Sequence, residues 1–128
     1  MSVELTMLVW SVVLCLLQMV VSAQGAFNQV GLPMLAGNRE NMPAIVGWGG
    51  RAKRAHANMV ENLVLFAALV LAAQVAGKTN DMTALGAQLF FWARVAYAGI
   101  YLAGIVWIRT GAWAVSIAGL VLILLQLI

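Results

Sequence analysis

Arg54, Asn58 and Glu61 stand at i, i+4 and i+7 in an otherwise small and apolar stretch, and Arg94, Tyr97 and Tyr101 stand at i, i+3 and i+7 further along. On a helix turning about 100° per residue, the first trio falls within about 60° of arc and the second also shares one face. These side chains suit the capture of an anion without acid–base machinery. Arginine clamps a carboxylate in bidentate fashion. Asparagine and glutamate hydrogen-bond amide and ammonium groups. A tyrosine or arginine beside a thiol favours the thiolate, which is the nucleophile. A small zwitterionic thiol with two carboxylates would engage all of these groups, and an apolar partner could reach it from the lipid side.

Each residue also has an ordinary reading. Arg54 alone is a snorkelling side chain at a membrane boundary. Glu61 and Arg94 form a structural buried pair, since an isolated charge at membrane depth costs about 2.5–3.5 kcal/mol on insertion scales. Tyr97 and Tyr101 serve equally as interfacial or packing aromatics. Two matched stripes on adjacent helices exceed what bundle packing requires, and that conjunction favours a binding site. His56 points about 160–200° away from the stripe, which places it on the loop side or at a contact between subunits.

The elements that must position these residues follow from composition. Of 128 residues, 64% are hydrophobic and only 9% charged, against about 45–50% and about 25% in an ordinary soluble domain. This is the composition of an integral membrane protein. One cysteine, Cys15, and one histidine, His56, exclude a disulfide scaffold and a Cys/His metal cluster. The net charge of +3 is spread through apolar sequence and makes no phosphate-binding stripe, so nucleic acid is set aside.

A membrane helix needs about 20 apolar residues. Four spans are expected, over Leu5–Gln24, Arg51–Gly77, Met82–Trp107 and Ala112–Ile128. The residues before the first span, Ser2-Val3-Glu4, carry no Lys or Arg, which argues against a secretory signal. Gly25–Gly50, with Pro33, Pro43 and several glycines, reads as a loop. Gly77 suits a C-cap, and Arg109-Thr110-Gly111 reads as the third connection. Arg39, Arg51, Lys53, Arg54 and Arg109 crowd the first and third connections, while the second holds only Lys78. The positive-inside rule then places connections one and three in the cytoplasm and both termini opposite.

Arg51-Ala-Lys-Arg54-Ala-His56-Ala-Asn58-Met-Val-Glu61 resembles the R-x-x-x-N-x-x-E segment of the MAPEG family, the membrane-associated proteins in eicosanoid and glutathione metabolism. Arg94-Val-Ala-Tyr97-Ala-Gly-Ile-Tyr101 is similar to that family's R-x-x-Y-x-x-x-Y segment. Length, four spans and a charge-rich first loop agree over nearly the whole chain, in the manner of a short prokaryotic-type member. The resemblance implies a single four-span domain over 1–128, an all-α four-helix bundle, and a homotrimer with glutathione between neighbouring subunits near the cytoplasmic face. It implies glutathione contacts at Arg54, Asn58, Glu61, Arg94, Tyr97 and Tyr101, and a thiolate-stabilising role for Arg109. The chain departs from catalytic eukaryotic members in lacking basic residues over Gln24–Gln29 and in having Val64 where a proline often stands.

The expected function is glutathione binding in a multi-pass protein of the bacterial inner membrane. The expected reaction is conjugation of glutathione to a lipophilic electrophile or reduction of a lipid hydroperoxide. Arg54, Asn58, Glu61, Arg94 and Tyr97 would hold the tripeptide, Arg109 and Tyr101 would act on the thiol, and no metal is involved. The rival is a non-catalytic trimeric scaffold or accessory subunit that keeps the polar core for assembly.

Overall fold

A computed structural model describes all residues, 1–128, and is entirely helical: α1 (Val3–Val30), α2 (Leu32–Ala36), α3 (Gly47–Ala76), α4 (Asp81–Ala103) and α5 (Trp107–Leu127). Three of these, α1, α3 and α5, are long and apolar enough to cross a membrane. The fourth long helix, α4, has 23 residues and is less apolar because it carries Asp81, Gln88 and Arg94. Both α3 and α4 pack against α1, against α5 and against each other, while α1 and α5 do not touch.

Hydrogen bonds at the two ends fix the helix directions. At one end the Ser2 hydroxyl donates to Gln74 Oε1 (2.8 Å), that of Thr83 to Glu4 Oε1 (2.8 Å), and Asn80 Nδ2 donates to Gln126 Oε1 (2.7 Å). At the other end Arg54 on α3 meets Tyr101 on α4. Consecutive long helices are therefore antiparallel, and both termini share the end that holds Glu4 and Asn80. Connections one and three share the opposite end, as the distribution of basic residues anticipates.

The packing follows a heptad. The four buried residues of α1 are Glu4, Ser11, Gln18 and Gly25, each seven after the last. Such a spacing keeps one seam facing a neighbour along a supercoiled pair. On α3 the inward positions include Ala52, Ala55, Met59, Asn62, Phe66, Val70 and Ala73, in steps of three and four. Met59, Phe66, Val70, Ala87, Phe90, Leu120 and Ile123 form the core, with Phe66 and Phe90 stacked at 4.0 Å between ring centroids. Two glycine pairs allow the closest crossings. A Cβ on Gly25 would lie 2.6 Å from Gly49 Cα, and one on Gly119 would lie 2.5 Å from the Gly86 carbonyl oxygen. Any side chain there would force the backbones apart. Outside this seam Val20, Val64, Val75, Trp92 and Ile108 are among many exposed large apolar residues, a surface suited to lipid or to further subunits.

Helix ends depart from the expected spans in four places. α1 runs through Gly25 to Val30, because Gly25 is held against α3, and it stops only where Gly31 adopts φ +80°. The expected loop Gly25–Gly50 therefore contains helix at both ends and α2 in between, with Pro33 in the first turn of α2, where a missing N–H costs nothing. α4 ends at Ala103 rather than Trp107. Gly104 is left-handed there, and the Gly104 and Ile105 N–H groups close back onto Tyr101 and Ile100. Arg109 thus lies in the first turn of α5 and not in a connection. Gly77 caps α3 in the same left-handed conformation, as expected.

Candidate functional site

Tyr101, in the last turn of α4, is the hub of a polar cluster at the loop end of the bundle. Arg54 Nε donates to the Tyr101 hydroxyl at 3.2 Å. From α5 the Arg109 guanidinium lies 4.4 Å above the Tyr101 ring, and the Tyr97 ring is 5.5 Å away at a 56° tilt. Beneath them the Arg94 guanidinium stacks 4.1 Å from the Tyr97 centroid. Cations and aromatic rings therefore alternate. The negative ring faces attract the Arg94 and Arg109 guanidinium groups, and the hydrogen bond to Tyr101 brings Arg54 alongside them.

Helix spacing supplies the arrangement. Arg94, Tyr97 and Tyr101 share a face of α4, and Arg54 and Asn58 are one turn apart on α3. Because α5 begins as early as Trp107, Arg109 projects from a helix directly opposite Tyr101. A cavity of about 170 Å³ opens beside the cluster, lined by Asn58, Tyr97, Arg109, Thr110 and Trp113.

Arg94 is the least ordinary of these residues. It is 1% exposed, and none of its three guanidinium nitrogens has a hydrogen-bond partner. An ionised group buried without a partner is costly, and that cost favours any anion able to reach it.

The expected Glu61–Arg94 pair does not form within the chain. Glu61 is exposed on the outer side of α3, and the residue turned inward at that level is Asn62, which is 6% exposed and donates to the Asn58 carbonyl (2.9 Å) and Asn58 Oδ1 (3.2 Å). The physical reason is helix phase. The inward seam runs through Met59, Asn62 and Phe66, and the Arg54–Asn58–Glu61 stripe is offset from it. Arg54, itself exposed, joins the cluster only because its side chain is long enough to reach back to Tyr101.

Of the seven residues singled out by sequence, Arg54, Asn58, Arg94, Tyr97, Tyr101 and Arg109 come together and Glu61 does not. The structure adds three. Arg51 Nε donates to the Leu102 carbonyl at 2.9 Å and ties the start of α3 to the end of α4. Its spacing of three from Arg54 was the available signal. Thr110 and Trp113 line the cavity, and Trp113 is one turn after Arg109, a spacing legible only once both are known to be helical. His56 faces the first connection, among Leu35, Arg39, Met42 and Ile45.

The MAPEG family model matches residues 3–128, essentially the entire chain. The chain belongs to the MAPEG family. Comparison with curated proteins and with solved structures gives no match. MAPEG proteins include glutathione transferases and peroxidases as well as non-catalytic members, and are commonly trimeric membrane proteins. The match takes in all five helices, so both polar stripes and Arg109 fall within the MAPEG region.

Proposed function

We propose that this MAPEG protein is one four-span subunit of a homotrimer that binds glutathione between neighbouring subunits at the loop end. There it joins the thiol to lipophilic electrophiles or uses it to reduce lipid hydroperoxides. The observation that carries the reading is the convergence of Arg54, Arg94 and Arg109 around Tyr97 and Tyr101, with Arg94 buried and lacking any anionic partner. The two carboxylates of glutathione match this donor set, because guanidinium and phenol groups donate and no carboxylate neutralises them. Asn58 lines the same cavity and can hydrogen-bond a peptide amide. In this reading Arg109 and Tyr101, stacked on each other, would ionise and hydrogen-bond the thiol. In conjugation a C–S bond forms as the carbon–halide bond of an aryl halide breaks, with the thiol proton passing to solvent. In peroxide reduction two glutathiones become the disulfide, and the hydroperoxide becomes an alcohol and water. In such a trimer Glu61, which is exposed, would contact glutathione held mainly by a neighbouring subunit.

Glutathione is expected to raise the melting temperature of the detergent-solubilised protein. Ligand at one hundred times Kd stabilises by about 2.7 kcal/mol through mass action. An unchanged melting temperature at 10 mM glutathione, a concentration chosen to be roughly saturating for Kd values up to about 0.1 mM, would favour the scaffold reading.

The supply of glutathione requires the loop end to face the cytoplasm. In intact inverted and right-side-out vesicles, a cysteine placed at Asn38 is expected to react only from the cytoplasmic face and one at Asn80 only from the other. The opposite pattern would overturn the proposed orientation.

A further inference from the structure

An α-helix leaves its last four carbonyls without partners inside the helix. At the end of α4 the Gly104 and Ile105 N–H groups close onto Tyr101 and Ile100. The Leu102 carbonyl is taken instead by a side chain from another helix, Arg51 on α3, whose Nε donates to it at 2.9 Å. The half-buried Arg51 side chain also lies across Gly104, with its Nε 3.6 Å and its Cδ and Cζ 3.8 Å from the place a Gly104 Cβ would occupy. Gly104 therefore serves twice. It takes φ +83°, which turns the chain out of α4, and it leaves a bare surface for Arg51. The helix dipole favours a cation at this C-terminal end as well.

We propose that Arg51 is a positioning residue: it caps α4 and braces the Gly104 turn, and so seats the Arg109 guanidinium over the Tyr101 ring. Three observations carry this. The connection between Ala103 and Trp107 is short, so the direction in which α5 departs is set at Gly104. Val106, at the start of α5, supplies no side-chain cap of its own. Arg109 then follows in the first turn of α5, 4.4 Å from the centroid of Tyr101, which lies in the turn of α4 that Arg51 caps. Arg51 does not line the cavity beside Asn58, Tyr97 and Arg109, and its Nε is committed to Leu102. It acts through Arg109 and not on the ligand. The consequence for thiol chemistry rests on the glutathione reading above; the geometry does not.

A nucleus above an aromatic face is shielded by the ring current, so the NMR signal of the Arg109 Nε–H in protein carrying isotope-labelled arginine marks the stacking. The arginines are Arg39, Arg51, Arg54, Arg94 and Arg109, and Arg109→Leu identifies the signal by its loss. Without glutathione, Arg51→Met is expected to move that signal downfield, toward the position of an unstacked arginine. Gly104→Ala keeps Arg51 but strains the turn, and is expected to move the signal the same way. With glutathione and an aryl halide at pH 7, Arg51→Met is expected to lower turnover about threefold, the effect of raising the thiol pKa from about 6.5 to about 7.5. In an Arg109→Leu background it is expected to lower turnover no further, because a residue acting through Arg109 then has nothing to position. The proposal is overturned if the Arg109 signal stays in place in Arg51→Met, or in Gly104→Ala should the first variant not fold. It is overturned equally if the effects of the two arginine substitutions multiply, which would make Arg51 a direct contact of glutathione. Where the unaltered protein binds no glutathione or turns nothing over, the signal alone decides, so the two readings fail separately.

Discussion

Replacing Arg109 with leucine is expected to cost about twenty-five-fold in turnover of glutathione with an aryl halide at pH 7, while the glutathione-dependent rise in melting temperature persists. The magnitude follows from thiol ionisation. A thiol with a pKa of about 8.5 is about 3% ionised at pH 7. An opposite charge within about 4–6 Å lowers a pKa by 1–3 units, and a two-unit shift brings the ionised fraction to about 75%. Arg109 is held for this role by the Tyr101 ring 4.4 Å beneath it and by its place in the first turn of α5. The sign of the pH dependence separates this role from a purely structural one. The thiolate fraction rises with pH in both proteins but saturates earlier where the cation is present, so the variant's deficit shrinks toward pH 9. A membrane anchor behaves differently: its loss lowers the yield of folded protein and leaves turnover per folded molecule unchanged at every pH. Undiminished turnover in a well-folded Arg109→Leu protein would overturn the assignment.

Arg94→Met is expected to have two effects of opposite sign. The ligand-free protein should melt at an unchanged or higher temperature, because a buried guanidinium with no partner is replaced by an apolar side chain of similar length. The gain in melting temperature from glutathione should largely disappear. Removing one partner of a buried, hydrogen-bonded charge pair costs about 2–5 kcal/mol of binding, or roughly 30- to 4,000-fold in affinity. Differential scanning fluorimetry with and without glutathione measures both effects on one preparation. A lower melting temperature without ligand would mean that Arg94 already has an anion in the assembled protein, with the exposed Glu61 of a neighbouring subunit the leading candidate. A full thermal response to glutathione in the variant would remove Arg94 from the site.

Composition and spacing by themselves determined that this is a helical membrane protein, which end of the bundle carries the cations, and most of the polar cluster. The reason is that these properties depend on periodicity and on the cost of charge in hydrocarbon, and both are readable along a line. Arg94, Tyr97 and Tyr101 had to share a face of α4 whatever packed against them. Helix phase and helix ends were decided only by tertiary structure. The Arg54–Asn58–Glu61 stripe satisfies the spacing rule, yet α3 rotates so that Asn62 faces inward and Glu61 outward. That rotation is set by the small and apolar seam from Ala52 to Ala73 packing against α1 and α4, a demand larger than that of any single polar residue. Gly25, which reads as the start of a loop, lies within α1 because its missing side chain lets Gly49 approach. Arg109, which reads as part of a connection, lies within α5 because Gly104 ends α4 early and leaves only a short connection before Trp107. A glycine permits either a turn or a close helix crossing, and only the partner helix decides which it will be.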